Sequence, residues 1–401
     1  LASGDFGTVQ QYVNLGLYNG VGGYGQTSFV NPDLRWEKTT TFNVGVDVGF
    51  LKDRITLIAD YFVKNVYDKL QGIAIPSWTG FSSYQTNLAT LQNKGIELEL
   101  KAAILRPRTA NGLSLDASAN IYHVKSFTKK LLNNGLERNR QGAIRVWDEK
   151  KGSYEWVAGL QEGYRVGLDE IWAPVFDGLY RTQEDLNEKS NLANLFLPTS
   201  NKKVKQLGDA RWRDIDGNDT LDNRDFVFVG RTLPKIMGGF SLAAGWKGFS
   251  LFAQFDYALG FVIMNQIRMR GLSQVQGSQN SPVDVKDTWT PENPDAKYPR
   301  YMWANYGRNF ETGAGSGTPA ANFFEKGDYV AMREITLSYQ VPTGILTKYL
   351  HNRVRGFKAY VAGSNLLYIS KYSGTFPEVG GYDNGKYPLP RVVTFGLNIT
   401  L

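Results

Sequence analysis

From Asp214 to Asp225 the chain reads Asp-Ile-Asp-Gly-Asn-Asp-Thr-Leu-Asp-Asn-Arg-Asp. Oxygen-bearing side chains at positions 1, 3, 5, 9 and 12, with a backbone carbonyl at 7, are what a hard cation of the size of Ca²⁺ requires. Asp214, Asp216, Asn218, Asp222 and Asp225 fill the side-chain positions, Thr220 offers the carbonyl, and Leu221 is an apolar anchor at position 8. Position 6 is Asp219 where glycine is usual, which is tolerable because Asp enters the left-handed region more readily than most residues. Position 12 is the shorter Asp instead of Glu, which weakens two-oxygen coordination. The alternative is an acidic surface turn without a metal. A calcium ion here would be structural, neutralising clustered carboxylates and ordering a long loop.

Little else in the chain suggests catalysis. Cysteine is absent, so there is no disulfide framework, thiol nucleophile or thiolate zinc site, and His123 and His351 are the only histidines. No nucleophile elbow or phosphate loop occurs. Carboxylate pairs are scattered, and glycosidase chemistry needs two at a set separation. The net charge of +7 arises from interspersed residues, with no basic stripe of nucleic-acid-binding type. Trp78, Tyr84, Trp147, Trp156, Trp172, Trp289 and Trp303 lie outside the regular segments, where aromatic faces could stack on sugars or hold peptide side chains. Packing of loops against one another or against a lid is their other use.

The segments that must position these residues read as strands. Phe42, Val44, Val46, Val48 and Phe50 alternate with polar or glycine positions, and the turn 51–54 leads to a second run from Ile55 to Phe62. Ile96, Leu98, Leu100, Ala102 and Ile104 alternate with Glu97, Glu99 and Lys101, and the run from Leu113 to Ile121 repeats the code with Asp116 among its polar positions. Phe240 to Trp246 leads through Lys247-Gly248, a tight hairpin signal, into Phe249 to Tyr257, with Gln254 and Asp256 on the polar side. Further runs surround Ile335 to Val341, Phe357 to Val361 and Phe395 to Leu401. Trp246 and Tyr257 stand at strand ends, as an interfacial aromatic belt requires.

The connections alternate in length: 51–54 short, 66–93 long, 106–111 short, 125–235 very long, 247–248 short, 259–328 long, 342–355 intermediate and 366–389 long. Soluble sandwiches have no reason to sort loops in this way. A transmembrane barrel does, because short turns face the periplasm and long loops the exterior. The reading is therefore all-β: an antiparallel transmembrane β-barrel with long extracellular loops. The region 125–235 carries the candidate calcium site, and Glu97, Glu99, Lys101, Asp116 and Asp256 line a wetted lumen. About nine strands do not close a barrel of this type, so further strands and any plug are expected N-terminal to Leu1, whose surroundings look internal to a longer chain. A soluble β-rich glycan-binding protein and a passive porin are the competing readings.

Specific phrases then match a family. Asn31-Pro32-Asp33-Leu34-Arg35-Trp36-Glu37-Lys38-Thr39-Thr40, Asn93-Lys94-Gly95-Ile96-Glu97, and Asp287-Thr288-Trp289-Thr290-Pro291-Glu292-Asn293-Pro294 come first. Gly327-Asp328-Tyr329 with Arg333-Glu334-Ile335-Thr336-Leu337, then Gly363-Ser364-Asn365-Leu366 and Tyr387-Pro388-Leu389-Pro390-Arg391, follow in order. Across residues 31–401 the chain resembles the SusC/RagA-type TonB-dependent outer-membrane transporters of Bacteroidetes. The resemblance implies the C-terminal portion of a plugged barrel of roughly 22 strands, set in outer-membrane lipid. It also implies TonB-dependent import of oligosaccharides or peptides with a SusD-like surface lipoprotein, and it does not decide between those cargoes. Leu401 stands where that family usually carries an aromatic.

Overall fold

The computed structural model describes residues 12–26, 29–107, 109, 112–188, 205–273, 280–302, 309–311, 318–350 and 353–401. Nine strands form one antiparallel sheet: β1 (Lys38–Phe50), β2 (Ile55–Ala74), β3 (Ser83–Leu105), β4 (Ser114–Lys130), β5 (Ile236–Trp246), β6 (Phe249–Leu259), β7 (Tyr329–Gln340), β8 (Gly356–Ser370) and β9 (Val392–Thr400). Each pairs with its neighbours in sequence, so the order runs from β1 to β9 without a crossover. The sheet is open, with β1 and β9 as its edges.

Register makes this sheet a wall with two unlike faces. One line of cross-strand partners reads Val48, Leu57, Leu100, Ala119, Phe240, Phe255, Met332 and Leu367, apolar on all eight strands it crosses. The neighbouring line reads Thr56, Lys101, Ser118, Ser241, Gln254, Glu334 and Ser364. Here the hydroxyls of Ser118 and Ser241 hydrogen-bond across the strands at 2.7 Å. The apolar face is the bare one: Val46 is 53% and Phe395 80% exposed. A surface of this extent is stable only against lipid. The nine residues from Phe42 to Phe50, at ~3.3 Å rise and ~40° tilt, span about 23 Å, close to the height of an outer-membrane apolar band.

The turns behave as their residues dictate. Lys247 and Gly248 both adopt positive φ, 47° and 87°, giving the two-residue turn whose twist matches that of the strands it joins. Exposed Trp246 marks the same rim.

The loops differ from the expectation in extent and in character. The connection placed at 66–93 shrinks to 75–82, because β2 continues to Ala74 and β3 begins at Ser83. Likewise β4 reaches Lys130 and β8 reaches Ser370. Above the lipid both faces of these strands are wet, so pairing continues where the apolar alternation has stopped. Irregular register at Val66 to Gln71 and positive φ at Asp68 blur the pattern further.

The long connections are folded, and together they hold the best-buried residues. Val146, Trp212, Leu221, Phe226, Met264, Met269, Leu272 and Phe310, from 131–235 and 260–328, share one core. A second joins Phe261 and Ile263 to Tyr372 and Val379 of 371–391. Short strands support this layer. Ile144–Asp148 pairs with Ser153–Val157, Glu170–Ala173 with Val227–Arg231, and Phe176–Leu179 with Ala210–Trp212. Val262–Asn265 lies between Phe324–Lys326 and Tyr382–Asp383, which ties two loops into one small sheet.

In the full-length protein in vesicles, spin labels at Val46 and Leu98 are expected to be quenched by oxygen and shielded from aqueous nickel chelates. A label at Ser118 should show the reverse, and aqueous quenching at all three would overturn the face assignment. Leu100→Arg, near mid-band, should cost about 2–4 kcal/mol in denaturant titrations of the reconstituted protein.

Candidate functional site

The acidic loop connects the strand Ala210–Trp212 to Val227–Arg231, with Leu221 and Phe226 sunk into the core beneath it. Leu221 is thus the apolar anchor its position suggested. Asp219 takes φ 57°, the left-handed conformation expected at position 6, and Gly217 takes φ 70°.

Asp214, Asp216 and Asp225 converge, with carboxylate oxygens all within 4.8 Å of one another. Oxygens on opposite sides of one Ca²⁺ lie about 5 Å apart, so the spacing suits a shared ion. The backbone shapes the cluster. Asp214 accepts from the amides of Gly217 and Asp219 at 2.9 Å each, Asp216 from the amide of Asn218 at 3.2 Å, and Asp225 from the amides of Ile215 at 2.8 Å and Asp222 at 2.9 Å. The Tyr154 hydroxyl, from the neighbouring hairpin, donates to Asp216 at 2.8 Å. Asp225 is 1% exposed, and burial, reinforced by the charges of Asp216 and Asp214, pushes its carboxyl up to about 6.

The other expected ligands sit differently. Asn218 stays beside the cluster, its side-chain amide donating to Asp216 at 2.7 Å and its oxygen accepting from Thr220 N at 2.7 Å. Asp222 turns away, caps a short helical turn and pairs with Arg224, whose guanidinium holds its carboxyl below the usual range. Spacing alone could not reveal this, because Arg224 competes for the same carboxylate.

The aromatic residues do not form one platform. Trp147 packs edge-on against Tyr154, with ring centres 4.9 Å apart. Arg140 lies over Trp156 at 3.6 Å, and Trp172 packs on Phe228 while donating to Glu170 at 3.1 Å. Trp289 covers Gly208, where a Cβ would stand 2.2 Å from its ring. Tyr84 packs on Phe29. Trp78 alone among the described members is widely open, at 85%. Trp303 lies outside the described residues.

On the polar face Glu99 pairs with Lys101 at 2.9 Å, and Glu97 lies opposite Asp60 and Tyr122. Asp256 belongs to a network that sequence reasoning missed. Arg333 donates to Asp256 at 2.7 Å, to Glu378 at 2.6 Å and to the Tyr368 hydroxyl at 2.7 Å, and Tyr368 donates to Glu378 at 2.6 Å. Register shifts on both sides of Arg333 mark it as an inserted residue of β7. Glu378 belongs to the connection 371–391, so the network fastens that connection to the wall. The one available signal was Arg333 next to Glu334, two charges side by side in an alternating strand.

Comparison with known proteins agrees with this geometry. A family model described as "TonB dependent receptor-like, beta-barrel" matches residues 4–144. The TonB-dependent receptor P26 of Formosa agariphila is 28% identical over 383 residues, covering 92% of this chain and 35% of the relative. The TonB-dependent receptor SusC of Bacteroides thetaiotaomicron is 24% identical, covering 92% of this chain and 32% of SusC. The structure titled "Structure of the RagAB peptide transporter" superposes with a TM-score of 0.71 at 22% identity, covering 99% of this chain and 39% of that one. The chain therefore spans between about a third and two fifths of the length of these proteins. All-β, antiparallel, lipid-facing on one side and layered with folded loops beyond the long end, this chain has the sheet of an outer-membrane β-barrel and is similar to the SusC/RagA-type TonB-dependent receptors.

Proposed function

We propose that the chain supplies the wall and outer layer of an importer that carries nutrient molecules, oligosaccharides or peptides, across the outer membrane. In this reading the TonB complex supplies the energy and a SusD-like surface lipoprotein covers the outer end. The observation that carries the reading is the conjunction of a continuous polar wall with a folded outer layer fastened to it. A passive pore needs the first and has little use for the second. The relatives' names support it, since they are called receptors rather than enzymes. Among the aromatic residues Trp78 is best placed to offer a free face to cargo, because the other described ones are engaged by loop partners.

Calcium at Asp214, Asp216 and Asp225 belongs to the same proposal. The Asp222–Arg224 pair then acts as a brace, and Asn218 and the Thr220 carbonyl complete the set. The ion would neutralise three carboxylates, two of them, Asp216 and Asp225, with buried side chains, and hold the loop against Tyr154. Without it, burial favours protonated Asp225. The native state then keeps a proton that the unfolded chain, titrating near 3.8, has released, so loop stability falls as pH rises from about 4 to about 6 and is level above. Calcium needs the charged carboxylate and lifts that penalty, so its stabilising effect should grow over the same window.

Two measurements test this. At pH 7, amide exchange across 214–225 in the full-length protein should slow when calcium replaces a chelator, and Asp216→Ala should abolish the difference. Equal protection in both buffers would remove the ion from the proposal. For import, native protein captured from solubilised outer membranes should bring a SusD-like lipoprotein and a defined small cargo, identified by mass spectrometry. Isolation alone, with solute flux that persists after the inner membrane is de-energised, would favour the passive pore.

A further inference from the structure

Two lysines near the long-loop end of the wall have acidic partners. Lys38 pairs with Asp68 at 3.3 Å, and Lys69 with Glu37 at 3.0 Å. Lys101, on the polar face lower down, pairs with Glu99. Lys94 and Lys125 are different. They are Cα partners directly across β3 and β4, both exposed, and neither has a carboxylate partner among the described residues. Their side chains stand on the apolar face, because Lys94 continues the set Ile104, Ala102, Leu100, Leu98, Ile96 and Lys125 continues Leu115, Ala117, Ala119, Ile121, His123. Like charges directly opposed on one face repel, and the repulsion is stronger beside a low-dielectric slab than in water.

Their height is informative. Each lysine lies ten residues along its strand from the apolar residue at the short-turn end, Ile104 or Leu115. At ~3.3 Å per residue and ~40° tilt that is about 25 Å, the full height of the apolar band, so the ammonium groups emerge at the headgroup level of the outer leaflet. Two further groups complete the patch. The Lys94 ammonium lies 5.9 Å from the ring centre of Phe127, which steadies it. His123, opposite Ile96, holds its Nδ1 2.5 Å from the Lys235 carbonyl. A carbonyl only accepts, so Nδ1 carries the proton and Nε2 is left for an outer partner. β3 and β4 lie within the sheet, so the patch is not a barrel seam.

We propose that Lys94, Lys125 and His123 form a binding site for a phosphate group of an outer-leaflet lipid, whose acyl chains lie along Ile96, Leu98 and Ile121. A phosphate monoester between the two ammonium groups turns their repulsion into two charge-assisted contacts, and Nε2 of His123 can accept from a hydroxyl that the phosphate retains. The site rests on the barrel assignment and is independent of cargo, calcium and energy coupling.

The test uses full-length protein in nanodiscs doped with diphosphorylated lipid A or its dephosphorylated form, with retained lipid read by native mass spectrometry. Wild type should retain the phosphorylated form about tenfold or more over the other, given about 1 kcal/mol per basic group at a charged surface. Lys94→Gln with Lys125→Gln should erase that preference, Lys94→Arg with Lys125→Arg should keep it, and Lys101→Gln should leave it unchanged. Equal retention of the two lipids by wild type, an undiminished preference in the Gln pair, or cross-links from Lys125 to a second protein in place of lipid would each overturn the assignment.

Discussion

A strand in hydrocarbon can satisfy its amides only with neighbouring strands, and it can present only apolar groups outward. Everything else in this chain follows from that requirement. The nine strands pair in order, and their outward rows are apolar from β1 to β8 at a given height. Their inward rows are polar, so the wall has no interior of its own. Among the described residues neither face packs against other segments over most of its area, and cohesion within the band rests on the ladder and on cross-strand contacts such as Phe240 against Phe255, at 4.7 Å. A soluble sandwich puts its apolar face in a shared core. This sheet has its apolar face outermost, which is why a soluble reading fails.

The packed core has moved to where the membrane ends. The connections 131–235, 260–328 and 371–391 bury Tyr180, Phe310, Ile263, Met264 and Val379 almost completely. Polar contacts then join this layer to the wall. Ser370 donates to the Asp328 carbonyl at 2.9 Å and Arg333 binds Glu378, while Asp328 closes its own connection by accepting from the Gly260 amide at 2.6 Å. Within the layer itself, near the start of β5, Arg231 is ion-paired with Asp169 and Glu170. Buried ion pairs contribute little net stability compared with apolar contacts, but they fix one arrangement and penalise others. That is what a layer fastened to a wall at a few points needs.

What was legible in the sequence divides along the same line. The apolar alternation of Phe42 to Phe50 and Ile96 to Ile104 follows from the lipid, and so the wall could be read from one chain. Lys247-Gly248 was equally readable, since a two-residue turn demands positive φ at both positions. Past the lipid the code lapses, and β2 and β3 run on through Asp68, Lys69 and Gln85 with nothing periodic to reveal them. The loop core was hidden for another reason. Val146, Met264 and Phe310 are far apart in the chain and lie in segments too short to show a period. In the acidic loop, residue types and spacing located Asp214, Asp216 and Asp225, but the attachment of Asp222 to Arg224 is a choice between partners that spacing does not encode.

The family phrases have a physical meaning in this light, because their residues make close-fitting contacts at the upper end of the wall and inside the layer. Asn31 donates to the Gln85 carbonyl at 2.9 Å, the Arg35 amide donates to Asn87 at 2.6 Å, and Glu37 accepts from the Leu70 amide at 3.0 Å, so the segment leading into β1 is clamped along the upper reaches of β2 and β3. Gly95 leaves room for the ring of Phe62, where a Cβ would stand 2.3 Å from a ring carbon. Trp289 seats on Gly208, Gly327 admits Phe261, and Asn365, at φ 54°, turns the irregular strand past Arg333. Within the band any apolar residue of fitting size serves, so sequence there is free to drift. At the joints a particular side chain must meet a particular backbone atom or ring, and few substitutes preserve the contact. These phrases are therefore residues that lock particular contacts in the wall and in the layer, and they say little about what passes through.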